Sequence, residues 1–270
     1  MNTPIKTFKP HDNYIASLVD YYYIDHRPQN QYLEIDCFPH YNSTISIYRS
    51  QYRDQNGVMN YDGAAGYFQI FTPIHDNVLQ VKQRGPVHRI VIVLRPLAIY
   101  NFYSNLSFNK YIYGYQFFST EELDQIFSMS SPHAIASALD SFLMGRITGF
   151  HQPALHSAIQ NIIYGEAGVP VNLIAVKVQH SRQHLNRLFQ QYLGISIKRF
   201  QQIVRFRKAI QKKLSNGTLQ NLTMLAYAHG YVDQSHFIKE FKQLTNYPPK
   251  TFFKKGDYLG AEDTFWHIKR

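Results

Sequence analysis

Two sets of polar side chains in the C-terminal part of the chain have the types and spacing needed to read nucleic acid. The first is Arg182, Gln183, Asn186, Arg187 and Gln190; the second is Gln234, Ser235, His236 and Lys239. Arginine can meet a guanine edge with two parallel hydrogen bonds, asparagine and glutamine can meet adenine in the same way, and all of them can hold phosphate. On a helical wheel Leu185, Leu188, Phe189 and Tyr192 share one face. Gln183, Asn186, Arg187 and Gln190 share the opposite face, with Arg182 on the shoulder. A helix of this kind in isolation is an amphipathic helix with a solvated polar face. A capped helix and a tight turn in front of it, in a basic setting, shift the balance to DNA.

The elements that must position these residues can be read from their punctuation. Asn172 is expected to cap a helix running to about Val178, with small Ala175 at the crossing point. Ser181 caps the next helix, which stops at Gly194 after Leu193. Ser196 caps a longer helix to Leu214, with Phe200, Ile203, Val204, Ile210 and Leu214 on its apolar face. Its expected basic exterior is Lys198, Arg199, Arg207, Lys208, Lys212 and Lys213, and Ser215-Asn216-Gly217 ends it. The pattern then repeats. Asn221 caps Leu222–His229, Gly230 stops it, and Asp233 caps a helix through about Leu244 with Phe237, Phe241 and Leu244 inward. Its leading end carries Gln234, Ser235 and His236, where the helix dipole and free N–H groups also favour phosphate. Asn246 can take the left-handed conformation, and Pro248-Pro249 opens a last turn ending near Lys254-Lys255. Helix-turn-helix units are thus expected over 171–194 and 221–245, inside a domain spanning 154–258. A short tail, 259–270, follows, in which Trp266 is assigned no role.

Charge supports the division. Residues 1–150 carry 11 Lys+Arg and 12 Asp+Glu, a balance of −1, whereas 151–270 carry 17 and 6, a balance of +11. All of the excess lies with the helical part, the electrostatic footprint of a nucleic-acid-binding domain. One cysteine, Cys37, excludes a disulfide framework. No run of about 18 apolar residues implies a membrane span, and Met1–Phe8 has no apolar signal core. The expected location is the cytoplasm.

The first 150 residues read as mostly strands. Asn13–Ile24 could be helix or strand. Tyr32–Phe38, Ser43–Tyr48, Tyr67–Phe71, Val78–Val81 and Arg89–Leu94 follow, and the last, the most apolar, is expected to be central in its sheet. Helices are expected over Leu97–Tyr103, from Thr120 to Phe127, and from Pro132 to about Met144. The fold class is therefore α+β with two domains: a strand-rich sandwich or barrel with flanking helices over 1–150, a linker between Gly145 and Pro153, and an all-helical C-terminal domain. Candidate chemistry in the first part is sparse. His40, His75 and His88 are scattered without metal-ligand spacing, so neither a metal nor a catalytic site is assigned. Cys37 reads as a buried inert thiol. No glycine-rich phosphate loop occurs, and no cofactor is implied. Arg84, Arg89 and Arg95 could meet an acidic ligand, with ordinary surface pairing the weightier alternative.

The residues from about Asn161 to Lys255 resemble the AraC/XylS family of bacterial transcriptional regulators. Ala175, Ser181, Leu185, Arg187, Phe189 and Gly194 stand at the family's spacing, Arg205 and Ala209 match its linker helix, and the more specific second motif carries Ala226, Gly230, Asp233, Ser235, His236, Phe237, Phe241, Lys242 and Pro248. Ile197 stands where the family usually has proline, Asn246 where it has glycine, and Phe252 where it has tyrosine. The first costs some helix preorganisation and the second is chemically tolerated. The resemblance implies two helix-turn-helix units entering successive major grooves of double-stranded DNA. It implies contacts from Arg182, Gln183, Asn186 and Arg187 in one helix and Gln234, Ser235, His236 and Lys239 in the other. It further implies an activator working with RNA polymerase, and a cupin-like first domain for a small-molecule effector and for a homodimer. Two other function classes stand beside it. One is a DNA-repair or other enzyme with this domain appended, which would need a reactive cysteine in a metal-ligand cluster. The other is a non-specific nucleic-acid-binding protein.

Overall fold

A computed structural model describes residues 4–215, 222–258 and 264–269. In chain order the strands are β1 (Ile5–Phe8), β2 (Val19–Arg27), β3 (Tyr32–Cys37), β4 (Ser43–Arg49), β5 (Gln51–Arg53), β6 (Met59–Tyr61), β7 (Tyr67–Thr72), β8 (Leu79–Arg84), β9 (Val87–Leu94), β10 (Ile112–Tyr113), β11 (Asp257–Tyr258) and β12 (Phe265–Lys269). They form two six-stranded sheets, ordered β1-β2-β9-β4-β7-β10 and β11-β12-β3-β8-β6-β5. The sheets pack as an open sandwich and do not close into one barrel.

The central place of β9 explains its composition. It pairs with β2 on one side and β4 on the other, Val91 lying opposite Tyr23 and Ser46. Side chains alternate across the pleat. Val91 and Val93 therefore join Tyr21, Tyr23, Leu33, Ile35 and Trp266 between the sheets, while Ile90, Ile92 and Leu94 face the helices on the outside. Both faces are buried, so the strand is apolar almost throughout. Those outer helices are α1 (Asn13–Leu18), α2 (Ile99–Phe102), α3 (Thr120–Ser128) and α4 (Pro132–Met144). The ambiguous stretch 13–24 is both: Asp12 caps α1 by accepting from the Tyr14 and Ile15 amides, and β2 begins at Val19. The start of α3 is capped by Ser119 in a reciprocal box with Glu122. Asp140 of α4, 5% exposed, accepts from the His11 and Asp12 amides and from the Tyr22 hydroxyl, pinning the N-terminal segment to the outer layer.

The three arginines singled out in the sequence separate. Arg84 is exposed, and Arg95 makes a surface pair with Asp20 at 3.1 Å. Arg89 is buried: its guanidinium donates to Asp25 at 2.9 Å and to the Tyr48 hydroxyl at 3.1 Å. Asp25 also accepts from Arg27 at 2.7 Å.

Among the described residues seven helices make the C-terminal part: α5 (Pro153–Tyr164), α6 (Val171–Lys177), α7 (Arg182–Leu193), α8 (Ile197–Ser215), α9 (Leu222–Ala228), α10 (Gln234–Thr245) and α11 (Pro249–Lys255). Their core is continuous with Phe38, Ile74 and Leu97 of the first part. The chain then returns to the sandwich, because β12 pairs antiparallel with β3, Trp266 opposite Cys37 and Ile268 opposite Ile35. Trp266 is thus a buried packing residue, its ring edge on Tyr23 at 5.9 Å, and Lys269 pairs with Glu34 and Asp36. Among the described residues no helix is long and apolar enough to cross a membrane.

Candidate nucleic-acid interface

The first unit is α6, a turn, and α7. Pro170, extended at φ −60°, takes the cap position of α6, and Asn172 lies inside the first turn instead of capping it. Ser181 caps α7 by accepting from the His184 amide, a contact of about 1 kcal/mol. Leu185, Leu188, Phe189 and Leu193 are buried, and Tyr192 is half-buried. Gly194 closes the helix at φ +74°, and a Cβ there would lie 2.6 Å from the Asn109 carbonyl oxygen. Glycine is therefore required twice, by the left-handed backbone and by the approach of the first domain's loop.

Of the five polar residues expected on α7, Arg182, Gln183, Arg187 and Gln190 are exposed on one surface. Arg187 lies against the His184 ring at 3.0 Å. Asn186 is half-buried, and its side-chain oxygen accepts from the Ile197 amide at 3.3 Å, so it joins α7 to the start of α8.

The second unit is α9, a turn, and α10. Asn216, Gly217 and Asn221, expected to end one helix and cap the next, lie outside the described residues, as does the Leu214 side chain. Gly230 has φ +73°, and a Cβ there would come within 2.9 Å of the Ala167 backbone, which brings α9 hard against the α5–α6 connection. Asp233 caps α10 by accepting from the His236 amide at 2.7 Å. Asn246 ends it in the left-handed conformation, and Phe237, Phe241 and Leu244 are buried. Ser235 and Lys239 are exposed, while Gln234 and His236 are half-buried.

Sequence reasoning passed over Glu240. It lies on α10, 3% exposed, and accepts two bonds from Arg205 of α8 at 2.8 and 3.0 Å and one from Gln202 at 3.0 Å. Its carboxylate is 3.8 Å from the His236 ring nitrogen, and the Arg205 guanidinium sits 4.9 Å above the Tyr231 ring. The only available signal was a single acid among the bases of a basic helix.

The basic exterior expected of α8 needs correction at two positions. Arg207 is 4% exposed and donates to the Pro39 and Phe38 carbonyls at 2.6 and 2.7 Å. Arg199 is half-buried and donates to the Asp76 carboxylate at 3.0 Å. The physical reason is that α8 packs on both domains, so the flank a lone helix would leave in water faces the sandwich. The same seam holds α7, through Tyr100 to the Tyr192 carbonyl and Asn109 to the Gln191 carbonyl.

In the sandwich, burial pushes the Cys37 thiol up to about 12, the opposite of what a nucleophilic thiol requires. Burial also lowers His75 and His88 to about 4. Among the described residues no group of histidines, cysteines and acids is placed to hold a metal ion.

A family model described as a helix-turn-helix domain matches residues 174–255. ToxT from Vibrio cholerae with an unsaturated fatty acid bound is similar in fold over 89% of this chain and 98% of its own, with TM-score 0.52 at 12% identity. An apo ToxT from the same strain covers 92% and 99%, with TM-score 0.50 at 11% identity. The C-terminal domain of AraT, a response regulator from Geobacillus stearothermophilus, is 25% identical over 41% of this chain and 90% of its own, with TM-score 0.37. Among curated proteins, none matches this chain in sequence. The family match places a helix-turn-helix domain over residues 174–255, and the ToxT likeness shows a shared two-domain fold.

Proposed function

We propose that α7 and α10 enter successive major grooves on one face of duplex DNA and that the chain activates transcription. The observation that carries the two-groove reading is the joint fastening of both helices to α8. Asn186 ties α7 to the first residue of α8, and Glu240 ties α10 to its middle. At 1.5 Å per residue α8 is a rod of about 28 Å, on the scale of the ~34 Å that separates successive major grooves on one face. Arg182, Gln183, Asn186, Arg187 and Gln190 are the proposed contacts of the first helix, and Gln234, Ser235, His236 and Lys239 those of the second. Lysine and arginine supply salt-dependent affinity and the groove-facing side chains supply specificity.

The proposed domains are 154–258 for DNA and 1–150 for an effector and for dimerisation, in the cytoplasm, with RNA polymerase as the partner in activation. ToxT holding a fatty acid supports a small-molecule effector for a fold of this kind. The test is a gel-shift titration on a site selected from random duplexes. Arg187→Ala should lose about 1–3 kcal/mol of specific binding and relax the preference at one base position. Unchanged affinity and specificity would sink the assignment.

A further inference from the structure

We propose that the cavity between the two sheets binds a small aromatic carboxylate, an acid built on a single ring. This rests on the reading of the chain as an effector-controlled regulator and names the chemistry of the effector.

Charge comes first. Arg53, Lys82, Arg89 and Arg207 line the cavity, and among the described residues no aspartate or glutamate does. Behind Arg89 stands Asp25, but that carboxylate is shared with Arg27, so the buried cluster keeps one positive charge in excess. Arg89 Nε is buried without an acceptor among the described residues. Excess positive charge away from water is costly unless an anion answers it, and a carboxylate is the anion that arginine meets best.

The walls give the second constraint. Tyr21, Tyr23, Tyr48, Tyr111, Tyr113 and Trp266 all face this space. Tyr111 and Tyr113 lie nearly parallel, 6° apart with centroids at 6.0 Å, and the Arg53 guanidinium covers the Tyr113 ring at 4.6 Å. Aromatic walls favour stacked or edge-on contact with a planar ring over a flexible chain.

Size gives the third. The cavity has a volume of about 170 Å³. A protein cavity of ~150 Å³ accommodates benzene. The space therefore suits one ring and its carboxylate, not a long acyl chain. The occupant would touch Arg207 of α8 and Trp266 of β12 as well as the sandwich. Arg207 shares its helix with Arg205, which holds α10, so occupancy is placed to alter the seat of the second unit.

Trp266 is the single tryptophan of the chain, so its emission reports the cavity directly. The full chain is titrated with benzoate, benzamide and a long unsaturated fatty acid, with a gel shift on the selected site run in parallel. Benzoate should change Trp266 emission saturably, and benzamide, which lacks the charge, should bind at least ~10-fold more weakly. Arg89→Gln should remove the preference for the acid. Ser46→Phe, which fills the cavity and leaves its charges in place, should abolish binding and keeps the test sharp if the first variant does not fold. Equal binding of amide and acid, no saturable response to the ring acid, or preference for the fatty acid each overturns the proposal. Specific DNA binding that persists in any of these cases leaves the regulator reading standing; its absence defeats that reading separately.

Discussion

The two helix-turn-helix units have the same plan and are secured by different chemistry. In the first, α7 is seated on the sandwich by backbone-directed bonds from Tyr100 and Asn109 and by a glycine packed on the Asn109 carbonyl. In the second, α10 is held to α8 by a buried carboxylate that answers Arg205 and Gln202. The exposed faces differ as well. The first presents Arg182, Gln183, Arg187 and Gln190 to solvent, whereas the second exposes Ser235 and Lys239 and keeps Gln234 and His236 half-covered. A duplicated motif has thus been divided: one copy is coupled to the sandwich and rich in exposed arginine and glutamine, and the other depends on α8 for its orientation.

The sharpest way to break this contrast is at Glu240. Glu240→Ala strands Arg205 in a half-buried site, and the loss of one partner from such a pair should cost about 3–5 kcal/mol. Amide exchange in α10 should accelerate while α7 keeps its protection. Equal loss in both would show that the units are not separately secured. A smaller effect separates the two reading faces. Lys239→Ala should weaken binding about uniformly across sequences and lower the salt slope by ~1, in contrast to the base-specific loss expected from Arg187→Ala. If both variants lost the same base preference, the division of roles between α7 and α10 would be wrong.

The least effect is expected from acid. His75 lies beside Asp76, which receives Arg199 of α8. Burial lowers His75 to about 4 in the native state against an ordinary value of 6.5. The unfolded chain therefore takes up a proton that the folded chain refuses, and stability should fall as pH drops from about 6.5 towards 4, being fully present above that window. Denaturant midpoints measured across that range should flatten in His75→Gln. An unaltered slope would remove His75 from the seam between sandwich and α8.

Much of the helical domain was legible because its signals are local. Ser181, Asp233, Gly194 and Asn246 each act within one helix end, and the structure places all four as the sequence implied. The apolar run of β9 likewise announced a strand central in its sheet. What escaped depended on partners far along the chain. A helical wheel puts Arg207 in water because it cannot know that Pro39 and Phe38 arrive from 168 and 169 residues away. Arg89 read as one of three equivalent arginines until Asp25, 64 residues off, singled it out. Glu240 was invisible for the same reason, and Asn172 lost the cap to a proline whose backbone is already extended. The strand β12 is short, and pairing with β11 and with the distant β3 gives it its shape.

The central claim, that α7 and α10 read neighbouring grooves together, is tested most directly by a hydroxyl-radical footprint of the full chain on its selected site. Two protected patches on one face, about 10 base pairs apart, are expected, with Arg187→Ala weakening one and Glu240→Ala the other. A single patch, or loss of both from either variant, would contradict it.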